Sequence, residues 1–241
     1  MLIVRATQDM AKDTELLITY QAKLDEDESY DVRKKKLRGW NFECTCSCCE
    51  DSKSYSNELI AKRSSLKARF DEFNKEVDPY KVETAAFMKH LDVLTSRLAS
   101  TYNPATLGSV PRRGLAQMYI CLSRRCSDIM KSRRTIRAAR KALEALGFTV
   151  TGMDPADKAD GELKVEKWGL VVEHLVRAWV AAWTAFAELK NLKKAAVAGR
   201  YAKLTYKIVV GEDETFDKVY GKHATDAISE GTLWAGHDVY N

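Results

Sequence analysis

The stretch "AWVAAWTAFAELKNLKKAAVAGRYAKL", residues 178–204, predicts two helices that pack closely against each other. Its first half carries Trp179 and Phe186 on one helical face. In its second half, small residues recur at helical spacing, at positions 195, 198, 199 and 202. The distance between packed helices depends on the side chains at their contact. We therefore expect a tight hairpin in which Trp179 and Phe186 fill the seam.

The same apolar spacing continues through the neighbouring sequence and predicts a helical array over residues 55–221. Connectors at 78–80, 103–111 and 147–162 contain proline, glycine or polar clusters. The apolar stripes predict six or seven antiparallel helices, at about 56–77, 81–102, 113–127, 128–146, 163–189 and 191–210, the last ending at Gly211. The twenty residues after 221 are poor in hydrophobic residues, and we expect this tail to fray.

Composition is typical of a globular protein that is rich in helix. The chain has 241 residues, 45% of them hydrophobic and 30% charged, with only four prolines. The sequence has no apolar run of about 18 residues and no pattern of a signal peptide. We therefore expect a cytoplasmic or nuclear protein without a membrane span, in which clustered cysteines bind metal rather than form disulfides.

The net charge of +5 is unevenly distributed along the chain. Residues 112–141 contain ten Lys or Arg and one acid, a net of +9, which leaves about −4 for the rest. A basic face attracts acidic partners or nucleic acid, although most such faces are only solvated surface. Because no aromatic side chains alternate with the cations as a stacking platform requires, we expect no nucleic-acid partner.

Four of the six cysteines crowd into "NFECTCSCCEDS", residues 41–52. Cys44, Cys46 and Cys49 form a C-x-C-x-x-C pattern, which is a spacing of zinc ligands. A closed structural zinc site needs four ligands. Cys48 adjoins Cys49 and is too close in sequence to complete a tetrahedron without strain, and no histidine is near in sequence. Cys121 and Cys126 are predicted to be small buried residues.

Two segments on either side of residue 25 resemble the end of a SET domain and its post-SET segment, in the SET-and-MYND branch and its fungal relatives. "VRATQDMAKDTELLITY", residues 4–20, contains apolar runs typical of strands, and "YDVRKKKLRGWNFECTCSCC", residues 30–49, begins as a short helix. Asp13 and Thr14 depart from the Gly-Glu of the family pattern. The matching positions are Ala6, Asp9, Glu15, Leu16, Tyr20, Tyr30, Arg33, Leu37, Trp40, Phe42, Cys44, Cys46 and Cys49.

This resemblance implies a protein-lysine methyltransferase that uses S-adenosylmethionine. It implies that Tyr20 lines the channel in which the lysine amine meets the methyl group, as the catalytic residue. It implies a cofactor contact for Phe42, beside the adenine, while a core phenylalanine next to the zinc remains an equal alternative. It also implies that the fourth zinc ligand is a cysteine of an upstream Asn-His-x-Cys segment. The chain lacks that segment, so we expect either a truncated form or a degenerate remnant, inactive alone.

Residues 55–221 resemble the tetratricopeptide-like C-terminal region of the same family. With Trp179 at repeat position 4, Phe186, Ala195 and Ala202 match positions 11, 20 and 27, whereas Trp183 departs at position 8. The predicted fold is mainly α: a short β remnant of a SET domain with its zinc segment in residues 1–54, the helical array in 55–221, and a tail in 222–241. The expected partners are a lysine-containing protein or peptide substrate and a protein on the helical region. The alternative is a zinc-stabilised peptide-binding module without catalysis.

Overall fold

The structure, a computed structural model, describes residues 28–40, 43–76, 84–154 and 161–221, together with Lys12. It is mainly helical, as predicted from the sequence. The elements are α1 (Tyr30–Leu37), α2 (Ser47–Ser52), α3 (Asn57–Glu76), α4 (Thr84–Ala99), α5 (Arg113–Asp128), α6 (Ser132–Ala145), β1 (Thr149–Thr151), β2 (Lys164–Lys167), α7 (Leu175–Glu188) and α8 (Leu192–Val210). Short 3-10 turns lie at Arg38–Trp40 and Pro104–Thr106, and a π-helical turn at Asp217–Gly221.

Helices α3 to α8 form a sequential array in which each helix packs against the next. The turns between α5 and α6 and between α7 and α8 span three residues each, so each pair is an antiparallel hairpin. One contiguous core runs through the array from Leu66 to Phe216, and its members Leu91, Ile136 and Trp179 are completely buried. The observed helices α3–α8 fall within the six stretches predicted from apolar spacing, except that α5 extends one residue beyond its stretch, to Asp128.

The α7–α8 hairpin packs as its small residues predict. Trp179 has no exposed surface, and Phe186 is 3% exposed. A Cβ atom placed on Gly199 would lie 3.1 Å from two ring carbons of Trp183, so α8 packs against that indole through its bare backbone. Trp183, which departs from the tetratricopeptide pattern, is thus accommodated by a glycine on the facing helix.

The predicted loop at 147–162 and the predicted helix start at 163 are wrong. Thr149–Thr151 and Lys164–Lys167 pair as a two-stranded antiparallel sheet, and α7 begins only at Leu175. The backbone around Gly169 explains the late start. A Cβ at Gly169 would lie 2.3 Å from the carbonyl oxygen of Leu146, and the Leu170 N–H donates to that oxygen at 2.8 Å. The segment is therefore held across the end of α6, where a helix cannot continue.

The predicted strands within residues 4–20 and the tail after residue 221 lie outside the described residues, so the β remnant is not described. In the described part of the chain, no helix combines the length and the apolar character that crossing a membrane requires.

Candidate metal centre

The cysteine segment, defined here as residues 43–54, has a backbone that turns three cysteines toward one point. Cys44 and Cys46 lie two residues apart in non-helical chain, and Cys46 is extended, with ψ 157°. Residues two apart in extended chain face the same side. Cys46 is also the N-cap residue of α2, and Cys49 follows three residues later on the same helical face. The C-x-C-x-x-C spacing therefore converges because the backbone changes from extended to helical at Cys46.

The sulfur atoms of Cys44, Cys46 and Cys49 all lie within 4.8 Å of one another. Zinc–sulfur bonds of about 2.3 Å in a tetrahedron require sulfur atoms roughly 3.8 Å apart. The three thiols therefore fit one face of a zinc tetrahedron with small side-chain adjustments. Cys49 is buried, Cys46 is exposed and Cys44 lies between these extremes, so the open face of the cluster points outward.

Burial and hydrogen bonds within the cluster move the pKa values of Cys46 and Cys49 in opposite directions. Burial opposes ionisation of Cys46, but hydrogen bonds from the backbone of Cys49 and Cys48 and from the neighbouring thiols outweigh it, and its pKa is lowered. Burial, together with hydrogen bonds to Cys44 and Cys46, raises the pKa of Cys49 to about 12. Because zinc binds thiolates, metal binding at this cluster must release protons and strengthen as the pH rises.

A buried ion pair docks the cysteine segment against the helical array. Nη1 of Arg112, at the start of α5, lies 2.6 Å from Oδ2 of Asp51 in α2, and both side chains are at most 5% exposed. Thr106 donates its hydroxyl to Oδ1 of Asp51 at 2.7 Å, and Arg112 donates to the Tyr55 hydroxyl at 3.2 Å. Asp51 is two residues from Cys49, so this pair fixes the position of the buried thiol.

A second buried arginine continues this docking network into the array. The guanidinium of Arg63 stacks on the Tyr55 ring at 3.8 Å and on the Tyr102 ring at 4.1 Å. Its Nε donates to the Thr101 hydroxyl at 3.1 Å, and its Nη2 donates to the Thr101 carbonyl. These contacts replace the water that a buried guanidinium loses. Local sequence patterns do not predict this network, because Arg63, Tyr55 and the Thr101–Tyr102 pair come from separate parts of the chain.

Helix α1 also contacts the cysteine segment. Two of its residues that match the family pattern, Arg33 and Leu37, are buried. Arg33 donates to the carbonyl of Cys48 at 3.4 Å, and the hydroxyl of Tyr30 bonds to Glu43. The helix that precedes the metal motif in sequence therefore also holds it in space.

No fourth ligand joins the cluster among the described residues. Cys48 does not belong to the cluster of converging thiols; it lines a small cavity with Asp51 and Arg112 instead. His90 packs on Phe73, 4.3 Å between ring centres, and His174 lies at the start of α7. His223 and His237 lie outside the described residues.

The two cysteines outside the cysteine segment differ in burial. Cys126 is completely buried, as predicted, whereas Cys121 is only partly buried and contacts Asn74. Tyr20 and Phe42 lie outside the described residues, so the catalytic and cofactor roles assigned to them stay predictions.

In comparison with known proteins, no family model matches the chain. The chain is 29% identical over 223 residues to a protein of the fungus Gibberella zeae named "Methyltransferase". The alignment covers 91% of this chain and 29% of that relative. It thus includes most of the cysteine segment and helical array, and the chain is similar to under a third of a longer fungal methyltransferase.

Proposed function

We propose that this chain is the C-terminal portion of a SET-domain protein-lysine methyltransferase that depends on S-adenosylmethionine. The grouping of the Cys44, Cys46 and Cys49 thiols within 4.8 Å of one another carries the proposal. It supports a post-SET zinc site at the place in the chain where the sequence resemblance expects one. Similarity to a fungal methyltransferase supports the same class of activity.

In this proposal the zinc holds the end of the SET domain together. Three thiolates leave one coordination position open, which a closed structural site fills with a fourth protein ligand. A cysteine from an Asn-His-x-Cys segment outside these 241 residues would supply it. The Asp51–Arg112 pair would then keep the metal segment in a fixed position against the helical array.

Tyr20 and Phe42 complete the proposed active site. S-adenosylmethionine would supply the methyl group. The hydroxyl of Tyr20 would align the lysine amine and its ring would exclude water, a positioning role that accounts for much of the rate of such a transfer. Phe42 would cover one face of the cofactor pocket. One aromatic face contributes about 0.5–1.5 kcal/mol beyond its buried area, far less than the ~8 kcal/mol of a micromolar site.

Calorimetry of S-adenosylmethionine against the 241-residue chain tests the proposed division of the active site. We expect no micromolar binding, because most cofactor contacts would lie elsewhere. In a chain extended by the Asn-His-x-Cys core, Tyr20→Phe should reduce methyl transfer sharply and leave cofactor affinity nearly unchanged. Micromolar binding by the 241 residues alone, or an extended chain that ignores Tyr20→Phe, would contradict the proposal.

A second function is a zinc-stabilised peptide-binding module without catalysis. The contiguous core of α3–α8 favours it, because a helical array with its own core supports a binding surface without an active site. The reading frame upstream of Met1 separates the two functions. An encoded Asn-His-x-Cys segment supports the enzyme, and its absence from the gene supports the module.

A further inference from the structure

An open groove of about 810 Å³ lies at one end of the helical array, away from the cysteine segment. Its walls come from α4, the turn between α5 and α6, the first turns of α6, and the turn between α7 and α8. Nothing in the methyl-transfer proposal uses this groove. We call it the basic groove because lysine and arginine side chains line its rim.

The floor of the basic groove is apolar and partly open to solvent. Met88 and Ile129 form its inner part, and Met130 and Leu189 project at its rim. Met130 is 46% exposed and Leu189 is 41% exposed, which places both among the exposed large hydrophobic side chains of the described chain. An exposed apolar surface inside a polar rim is typical of a binding site.

The rim of the basic groove carries cations that have no ion-pair partner among the described residues. Lys89, Lys131, Arg133 and Arg137 are exposed and make no ion pair with any described residue, whereas Arg134 pairs with Asp92. Three of these four belong to the basic stretch at 112–141. Other members of that stretch are occupied elsewhere: Arg112 by Asp51, Arg125 by Asp128, and Arg140 by Glu144 and Asp154.

The turn that presents Met130 has a conformation that disfavours side chains. Met130, just after α5, has φ 53°, and Lys190, just after α7, has φ 59°, so both backbones are left-handed. The two helices end in the same way: the left-handed residue donates its N–H to the carbonyl three residues earlier, and the next residue donates to the carbonyl five residues earlier. The equivalent residue after α6 is Gly147, the usual choice at this position. A side chain in a left-handed turn costs conformational energy, and such outliers cluster at functional sites. Ser132 bonds to Glu188, which ties the two turns together.

We propose that the basic groove binds an acidic peptide segment that carries a bulky apolar side chain. The four cations of the rim would contact the carboxylates, and Met130 and Leu189 would cover the apolar side chain. Methionine suits this role because its flexible thioether adapts to irregular partners. The inference does not depend on the methyl-transfer proposal.

Two other occupants fit the groove less well. Among the described residues that line the groove there is no aromatic ring on which a base could stack, so a single-stranded nucleic acid would gain only phosphate contacts from them. A second copy of the chain docked through this same face would set the same four cations against each other, because a two-fold interface joins identical surfaces. Charge complementarity therefore favours an acidic peptide.

Fluorescence anisotropy with labelled ten-residue peptides tests the proposal on the full 241-residue chain. The probe carries one leucine within a run of Asp and Glu. Its controls replace the leucine by serine or the acids by lysine. We expect the probe to bind more tightly than both controls, with affinity that falls as salt rises. Equal binding of all three peptides, or tighter binding of an oligothymidine, would overturn the proposal.

Charge reversal identifies the site. Arg133→Glu with Arg137→Glu should weaken probe binding by about tenfold or more, because it removes two carboxylate contacts and adds repulsion. Lys62→Glu with Lys193→Glu makes the same change in net charge at exposed sites outside the groove. This control should bind the probe as tightly as the parent chain does. An equal loss of affinity in both variants would show that binding depends only on the overall charge, and would overturn the site assignment.

Glycine substitutions distinguish a loss of the apolar contact with the peptide from a loss of folded protein. Met130→Gly removes the side chain while relieving the left-handed backbone, so it should keep or raise the melting temperature and weaken the leucine probe several-fold, but not the serine control. Lys190→Gly makes the same backbone change outside the groove lining and should leave binding unchanged. A Met130→Gly chain that is folded and binds the leucine probe fully would show that the peptide's apolar side chain does not contact Met130, and would overturn the proposed apolar contact.

Discussion

The cysteine segment and the α7–α8 hairpin are held in the fold by opposite chemistry. The cysteine segment docks through a buried ion pair between Asp51 and Arg112. The hairpin docks through alanines and a glycine that let α8 approach Trp179 and Trp183. Ionic docking fails when one charge is removed, whereas apolar docking fails when volume changes. The following substitutions test this difference, from the largest expected effect to the smallest.

Trp179→Ala should destabilise the whole array. The side chain is completely buried between α7 and its neighbours, and such a truncation costs about 3–5 kcal/mol because a cavity remains. Urea unfolding followed by circular dichroism measures the loss. Leu192→Ala, at a residue 58% exposed on α8, is the matched control and should change stability by less than about 0.5 kcal/mol. A small effect at Trp179 would mean that the hairpin is not the centre of the core.

Arg112→Met should release the cysteine segment and leave the array folded. Removing one partner of a buried ion pair costs about 3–5 kcal/mol, because the remaining carboxylate is buried without compensation. We expect a first unfolding step in which the Cys49 thiol becomes reactive, before α3–α8 unfold. The double variant Arg112→Met with Asp51→Leu should recover most of the stability. A single cooperative step at the parent midpoint would contradict ionic docking.

The contribution of the ion pair should disappear in acid. Burial disfavours the charged form of Asp51, but hydrogen bonds from Arg112 and Thr106 outweigh it and hold its pKa below the ordinary value. Stability from a lowered carboxyl pKa is complete above the unfolded value of about 3.9 and is lost as the pH falls through the folded value. Urea unfolding of the parent and Arg112→Met chains should therefore differ most near neutral pH and converge below about pH 4. A constant difference would point to a packing role for Arg112.

Gly199→Leu should separate α8 from α7. Even a Cβ at this position lies 3.1 Å from the Trp183 ring, so a longer side chain must displace the indole. Overpacking of this kind costs about 1–3 kcal/mol. Ala196→Leu, at an exposed position of the same helix, is the control for the change in side-chain size and should be close to neutral. Equal stability of both variants would show that the close approach of the two helices is dispensable.

Lys190→Gly should have the smallest effect and the opposite sign. The residue has φ 59°, and a side chain in this left-handed region costs about 1 kcal/mol relative to glycine. Differential scanning calorimetry should show a slightly higher melting temperature. A lower one would show that the lysine side chain makes a stabilising contact that outweighs its backbone cost.

Local sequence patterns predicted that the helices exist, but they located some helix boundaries accurately and others poorly. The spacing of apolar residues located α5 and α6 to within a few residues, because each helix buries one continuous face. The start of α7 was misplaced by twelve residues, since Gly169 packs onto the carbonyl of Leu146, a residue from another element. The C-x-C-x-x-C pattern likewise predicted the thiol cluster, because its geometry depends only on the local change from extended chain to helix.

The sequence by itself determined the mainly helical fold, the tight hairpin at 178–204 and the convergence of Cys44, Cys46 and Cys49. Each depends on residues close together in the chain, for which backbone geometry sets the spatial relation. Only the tertiary structure decided which of the basic residues form buried ion pairs and which stay exposed. It buried Arg112 against Asp51, and it placed Arg133 and Arg137 at an apolar groove where no described residue forms an ion pair with them. In sequence these arginines belong to one basic stretch, and they differ only in what other elements bring next to them.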